Sequence, residues 1–162
     1  MIREATREDV ELLIDLRLAF IREDDAPLDD HWAGVLRKQM ESFFPEHIGK
    51  DFFAFLMEEE GGAVSSVFLR EEHTPANKRF PTGVTGTIYN VYTLPEWRRR
   101  GYATALVKEA MGKGKERNYS FIALQASEKG YPLYKSLGFR ETHSPYVPME
   151  YRFHSEDGWT VP

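Results

Sequence analysis

Two periods of apolar and polar residues run through the chain. Val10, Leu13, Leu16 and Phe20, flanked by Ile14 and Ile21, recur at helical spacing and predict an amphipathic helix. Thr6 precedes it with Asp9 three residues on, a short capping box. The helix ends near Arg22-Glu23-Asp24-Asp25-Ala26-Pro27. Asp29 and Asp30 open a second helix with Trp32, Val35, Leu36, Met40 and Phe43 on one face, closed by Phe44-Pro45. Asp51 to Met57 reads as a continuous apolar run, a candidate buried strand, and Ala63 to Leu69 returns after Glu58-Glu59-Glu60-Gly61-Gly62 as a hairpin. Arg70 to Pro81 reads as a polar loop and Gly83 to Thr93 as a long strand. Ala103, Leu106, Val107, Ala110 and Met111 form the stripe of a helix reaching about Asn118, with Gly112 and Gly114 weakening its last turns. Tyr119 to Ala126 is a strand, Tyr131 to Ser136 a short helix, and Gly138 to Glu141 and Met149 to Phe153 two final strands. With Ile2 to Ala5 as the first strand, the order is β-α-α-β-β-β-α-β-α-β-β, an α/β (α+β) chain with a mixed sheet.

The length of 162 residues predicts one domain over 1–162. The chain has no cysteine, which removes thiol nucleophiles and thiolate metal sites and agrees with a cytoplasmic location. His31, His47, His73, His143 and His154 are scattered without ligand spacing, so no metal is expected. A net charge of -5 argues against nucleic acid as a partner. No window approaches the roughly 20 apolar residues of a membrane span, and Met1 to Arg7 has no apolar run of a signal peptide.

The stretch from Asn90 to Thr104 carries the most chemistry. Pro95 stops a strand, and the helix that follows begins at Arg98-Arg99-Arg100-Gly101-Tyr102-Ala103-Thr104. The first amides of a helix lack intrahelical partners, and the helix dipole is positive at that end. An anion such as a phosphate satisfies both. Gly101 lets backbone approach a ligand or take a positive φ, and the arginines add positive potential. Neither GxxxxGK[ST] nor GxGxxG occurs, so two common phosphate loops are excluded.

The six residues Arg98-Arg99-Arg100-Gly101-Tyr102-Ala103 resemble the acetyl-CoA pyrophosphate loop of the GCN5-related N-acetyltransferase (GNAT) family. About thirty residues further on, Leu133-Tyr134-Lys135-Ser136-Leu137-Gly138-Phe139 resembles the LYxxLGF segment that follows the family's fifth strand. The resemblance spans nearly the whole chain. It implies a mostly antiparallel sheet whose fourth and fifth strands splay apart, with helices on both faces and acetyl-CoA in the splay. Pyrophosphate would lie on the amides of Arg99 to Thr104, and the pantetheine along Val91, Tyr92 and Thr93. Tyr134 would protonate the leaving thiolate, since a phenol with a reference pKa of about 10 holds its proton at neutral pH. The acetyl group would pass by direct attack to a primary amine on a small molecule or peptide. Homodimers are common in the family, and the last strand with its tail from Tyr151 to Pro162 offers a pairing edge.

The sequence departs from the family pattern at Ser127, where many members carry a cofactor-touching asparagine, and at Gly130-Tyr131-Pro132, which replaces an alanine-rich turn. The predicted fourth strand carries no carboxylate to serve as general base. Asn90 there can orient a substrate but cannot take a proton at neutral pH, and Glu96, His31 and His143 read as surface groups. Asn90 and Trp32 are the candidate acceptor contacts, and the acidic run from Glu23 to Asp30 reads as solvated charge before it reads as a rim for cationic amines. A non-catalytic acyl-CoA-binding module is the alternative reading; Tyr134 argues against it and the missing strand carboxylate for it.

Overall fold

The computed structural model describes residues 1–24 and 28–153. Strand β1 (Ile2–Glu4) leads through a 3-10 turn into α1 (Val10–Asp24) and α2 (Asp30–His47). Strands β2 (Phe52–Glu59), β3 (Gly62–His73) and β4 (Val84–Thr93) follow, then α3 (Tyr102–Glu116), β5 (Ile122–Ala123) and α4 (Tyr131–Ser136). The five strands lie side by side in chain order, antiparallel except that β5 runs parallel to β4. Both expected helix caps form: the Thr6–Asp9 capping box, and Asp29, whose carboxylate accepts from the Trp32 amide at 2.8 Å.

Two cores lie on opposite faces of this sheet. Phe52, Ala54, Leu56 and Phe68 pack against Leu13, Ile14, Met40 and Phe44 of α1 and α2. Phe53, Phe55, Met57, Val67, Leu69 and Ile88 pack against Leu106, Val107 and Ala110 of α3, with Tyr134 of α4. Alternate side chains of β2 point to opposite faces, and both are covered, which is why this strand reads as an unbroken apolar run.

The elements differ from expectation in four places. Helix α2 runs through Pro45 to His47, and the Ile48 amide donates to the Phe44 carbonyl at 2.9 Å. The proline lies in the last turn, and burial of Phe44 and Ile48 holds that turn in place. Strand β3 continues past Leu69 to His73, pairing Arg70 to His73 with Val84 to Thr87. Strand β5 is only two residues long. The final strands expected at Gly138 to Glu141 and Met149 to Phe153 are irregular chain with exposed Tyr146, Met149 and Phe153. Pro145 and Pro148 cannot donate to a ladder there. The tail beyond Phe153, including Trp159, lies outside the described residues.

The extra length of β3 has a reason in Glu71, which is 3% exposed. Its carboxylate accepts from Arg117 Nε and Nη2, the latter at 2.8 Å, and lies 2.7 Å from His73 Nε2. These bonds, Arg117 first, hold the Glu71 carboxyl down at about 2 against an ordinary 4.5. The pair ties the end of α3 to the sheet. At the same end, a Cβ on Gly114 would stand 2.7 Å from Ile122 Cδ1 and 3.0 Å from the Tyr119 ring, so this glycine lets α3 approach β5 closely. Gly112, one turn face away, is exposed with nothing within 4 Å.

The two helix glycines should therefore respond oppositely to alanine. Gly112→Ala should stabilise by up to about 1 kcal/mol from helix propensity, whereas Gly114→Ala should destabilise by about 1–3 kcal/mol through overpacking, both read by urea unfolding. Arg117→Met leaves Glu71 buried without its main partner and should cost about 3 kcal/mol near pH 7. A carboxyl whose folded pKa is depressed contributes stability above its unfolded pKa and loses it as pH falls through the folded value. The gap between wild type and Arg117→Met should accordingly close as pH falls from 4.5 towards 2.

Candidate active site

Strand β4 pairs with β5 only at Gly86 with Ile122 and Thr87 with Ala123. From Ile88 to Thr93 no described strand pairs with it on that side, and the chain from Leu124 to Ser127 leaves the ladder. A bulge accompanies the divergence. Ser66 stands opposite Tyr92 and Phe68 opposite Tyr89, so Asn90 and Val91 together face Val67. Asn90 takes a φ of 52°, in the left-handed region that asparagine tolerates better than most residues. A bulge bends its strand and raises the local twist, which turns the end of β4 away from β5.

The basic turn lies just past that open edge. A 3-10 turn over Pro95–Trp97 leads to Arg98, and Gly101 stands at the N-cap of α3 with a φ of 82° and no side-chain cap. The first α3 bond runs from the Ala105 amide to the Gly101 carbonyl at 3.0 Å. No described group accepts from the amides of Arg99 to Thr104, six in a row at the positive end of a 15-residue helix. A Cβ at Gly101 would meet nothing within 4 Å, so the space beside this residue is open.

The three arginines play different parts. Arg98 pairs with Glu23 at 2.5 Å and donates from Nε to the Thr93 carbonyl at 2.9 Å. It joins the end of α1 to the end of β4 and spends its charge there. Glu23 is thereby held as a carboxylate, below the usual range, by the Arg98 guanidinium. Asp24 remains exposed, and Asp25 lies outside the described residues. Arg99 has a φ of 64°, and the guanidinium of Arg100 lies 4.5 Å from the Trp97 ring centroid. Both are exposed, and among the described residues neither forms an ion pair. Tyr102 donates to Glu59 at 2.5 Å, fixing the outer side of the turn, while Ala103 and Thr104 follow on the helix.

On the α3 side, Tyr134 is 9% exposed, with its ring edge-on to Phe139 at 5.9 Å. Among the described residues its hydroxyl forms no hydrogen bond, and burial raises its pKa. Ser127, exposed, spends its hydroxyl on the Gly130 amide at 3.1 Å, shaping the turn into α4. A Cβ on Gly130 would come within 3.1 Å of the Tyr134 ring, so the Gly-Tyr-Pro turn makes room for that tyrosine.

On the α1 side, Tyr92 packs edge-on to Phe20 at 6.3 Å, its carbonyl accepts from Ser65 Oγ at 2.7 Å, and Thr93 Oγ1 lies 2.8 Å from the same Ser65 Oγ. Asn90 is 3% exposed; its Nδ2 donates to Ser66 Oγ and its Oδ1 accepts from Arg17, both at 3.3 Å. Arg17 was not singled out from the sequence, although a charged residue among the stripe positions Leu13, Ile14, Phe20 and Ile21 was a usable signal. Trp32 lies at the first turn of α2 against His31 and touches neither Arg17 nor Asn90 through any ring contact or hydrogen bond. Glu96, His31 and His143 are exposed. Among the described residues no group of acidic or histidine side chains is placed to hold a metal, and no helix is long and apolar enough to cross a membrane.

An anion-holding helix end beside an open strand edge suits a ligand with phosphates at one end and amide groups along its length. Residues 16–139 match the model of the Acetyltransferase (GNAT) family. An N-alpha-acetyltransferase from Sulfurisphaera tokodaii is 36% identical over 127 residues, 74% of each chain. Among solved structures, a predicted acetyltransferase from Clostridium acetobutylicum, with acetyl-CoA, superposes with a TM-score of 0.79 at 27% identity, over 93% of this chain and 95% of its own. A GCN5-related N-acetyltransferase from Ralstonia eutropha gives 0.77 at 28% identity, over 92% and 97%. The chain belongs to the GNAT acetyltransferase family, and its activity class is that of an N-acetyltransferase.

Proposed function

We propose that this chain transfers the acetyl group of acetyl-CoA to a primary amine by direct attack within a ternary complex. The observation that carries the reading is the row of six unpaired amides at Arg99 to Thr104 beside the unpaired edge of β4. These amides and the free charges of Arg99 and Arg100 would hold the pyrophosphate, while Arg98, committed to Glu23, sets the shape of the turn. The edge of β4 from Val91 to Thr93 would pair with the pantetheine arm as an added strand does, through Val91 and the Thr93 amide, since the Tyr92 carbonyl accepts from Ser65 and the Thr93 carbonyl from Arg98. Bound acetyl-CoA supplies an activated thioester carbonyl. The name of the Sulfurisphaera relative supports an amine as acceptor.

The amine nitrogen would form the new bond to the acetyl carbon as the carbon–sulfur bond breaks. Tyr134 would give its phenolic proton to the departing sulfur. Burial favours the neutral phenol, and among the described residues no acceptor competes for that proton. The amine must lose a proton, and β4 offers no carboxylate to take it. Water would carry that proton out. The missing carboxylate favours a second reading, a binding module without turnover, and the same experiment separates the two.

Acetyl-CoA or CoA at about 100 times its dissociation constant should stabilise the protein by about 2.7 kcal/mol in thermal unfolding, with ATP and NAD as controls. Tyr134→Phe should keep that stabilisation and lower kcat by about 10²-fold or more in a thiol-release assay over a panel of amines. No shift with CoA species would overturn the cradle; a shift without turnover of any amine would favour the binding module.

A further inference from the structure

The split in the sheet opens onto two faces of unlike chemistry. The cradle, α3 and Tyr134 lie on one side. The other side, under α1, presents Arg17, Phe20, Tyr89, Asn90 and Tyr92. If the thioester is held from the cradle side, the acceptor must reach it from the α1 side, so the following argument rests on the function proposed above.

Arg17 is the unexplained group on that side. Its guanidinium carbon lies 5.4 Å from the Phe20 ring centroid and 5.6 Å from that of Tyr89. Burial lowers its pKa, which measures the cost of holding this charge away from water. A guanidinium carries five N–H donors, yet the structure gives Arg17 one hydrogen bond, to Asn90 Oδ1 at 3.3 Å. No described carboxylate lies within ion-pair distance. The acidic groups nearest along α1 do not serve it: Glu23 is taken by Arg98, and Asp24 is exposed and acts on Arg17 only through space. Most charged groups with this much burial are paired.

We propose that Arg17 is the acceptor-recognition residue and that the acceptor amine carries a carboxylate, as a free amino acid does, which pairs with this guanidinium beside the β4 bulge. Arginine suits the task because its planar fork matches a carboxylate with two parallel hydrogen bonds. The flanking rings and Asn90 fix the fork, so little side-chain freedom is lost on binding. Asn90 acts as a positioning residue, holding Arg17 against the strand immediately before Val91. The interaction is made in ground and transition states alike, so its loss should appear in KM more than in kcat.

The first test uses the CoA-loaded wild-type protein. Its arginine Nε–H resonances are followed while N-acetylglycine, a carboxylate mimic of product, is titrated, with N-acetylglycinamide as the neutral control. Arg17→Lys assigns the resonance. The expected result is a saturable shift of the Arg17 signal with the carboxylate and none with the amide. The second compares free amino acids with their amides in the thiol-release assay. Arg17→Met should raise KM for the amino acids by 10-fold or more, leave the amides unchanged, and keep CoA affinity. Equal response to carboxylate and amide, or none, overturns the inference. If CoA itself fails to bind, the function proposed above falls first, and CoA stabilisation measured separately distinguishes the two failures. If Arg17→Met does not fold, the resonance titration on wild type still decides.

Discussion

The structure depends on the failure of β4 and β5 to stay paired. A parallel pair that begins at Gly86 and Thr87 and ends there leaves six residues of β4 with an open edge in the middle of a domain. Unpaired strand edges invite any backbone that can reach them, and here the edge is protected by position, between α1 on one side and α3 on the other. The bulge at Asn90 is the local cause. Two residues where the ladder holds one bend the strand, and a φ of 52° is available to asparagine at modest cost. Buried bonds to Ser66 and Arg17 keep it there.

The other end of the sheet is closed as firmly as this end is open. Glu71, Arg117 and the two glycines Gly86 and Gly114 draw α3, β4 and β5 together where Tyr119 and Ile122 pack. With one end pinned, divergence at the other becomes a wedge with a defined apex. The N-terminus of α3 then falls at the mouth of that wedge because the helix spans the sheet from the cradle to Arg117. Its unpaired amides and the open strand edge become parts of one surface.

Charge placement on this surface separates structure from recognition. Arg98 and Glu23 form an exposed pair, a class of interaction worth about 0–1 kcal/mol, so its contribution is to direct a turn. Arg99 and Arg100 stay exposed, without an ion pair among the described residues. Arg17 is the reverse case, half-buried, flanked by the Phe20 and Tyr89 rings and without an ion-pair partner among the described residues.

The sequence by itself determined the helices, the hairpin, the caps at Thr6 and Asp29 and the glycine start of α3, because each rests on residues near one another in the chain. Periodicity, capping and glycine at a helix start are local physics. It also carried the family resemblance, through two motifs in the right order. What only the tertiary structure decided involves residues far apart. The extension of β3 to His73 came from Glu71 meeting Arg117, 46 positions away. The persistence of α2 through Pro45 came from burial of Phe44 and Ile48. The tasks of Arg98 and Arg17 were set by partners 75 and 73 positions distant. The final strands expected at Gly138 to Glu141 and Met149 to Phe153 pair with no described strand, since a run of alternating residues such as Met149 to Phe153 specifies a face and not a neighbour. Long-range contacts assign each charge its partner, and an arginine in a helical stripe shows its purpose only when the strand opposite is in place.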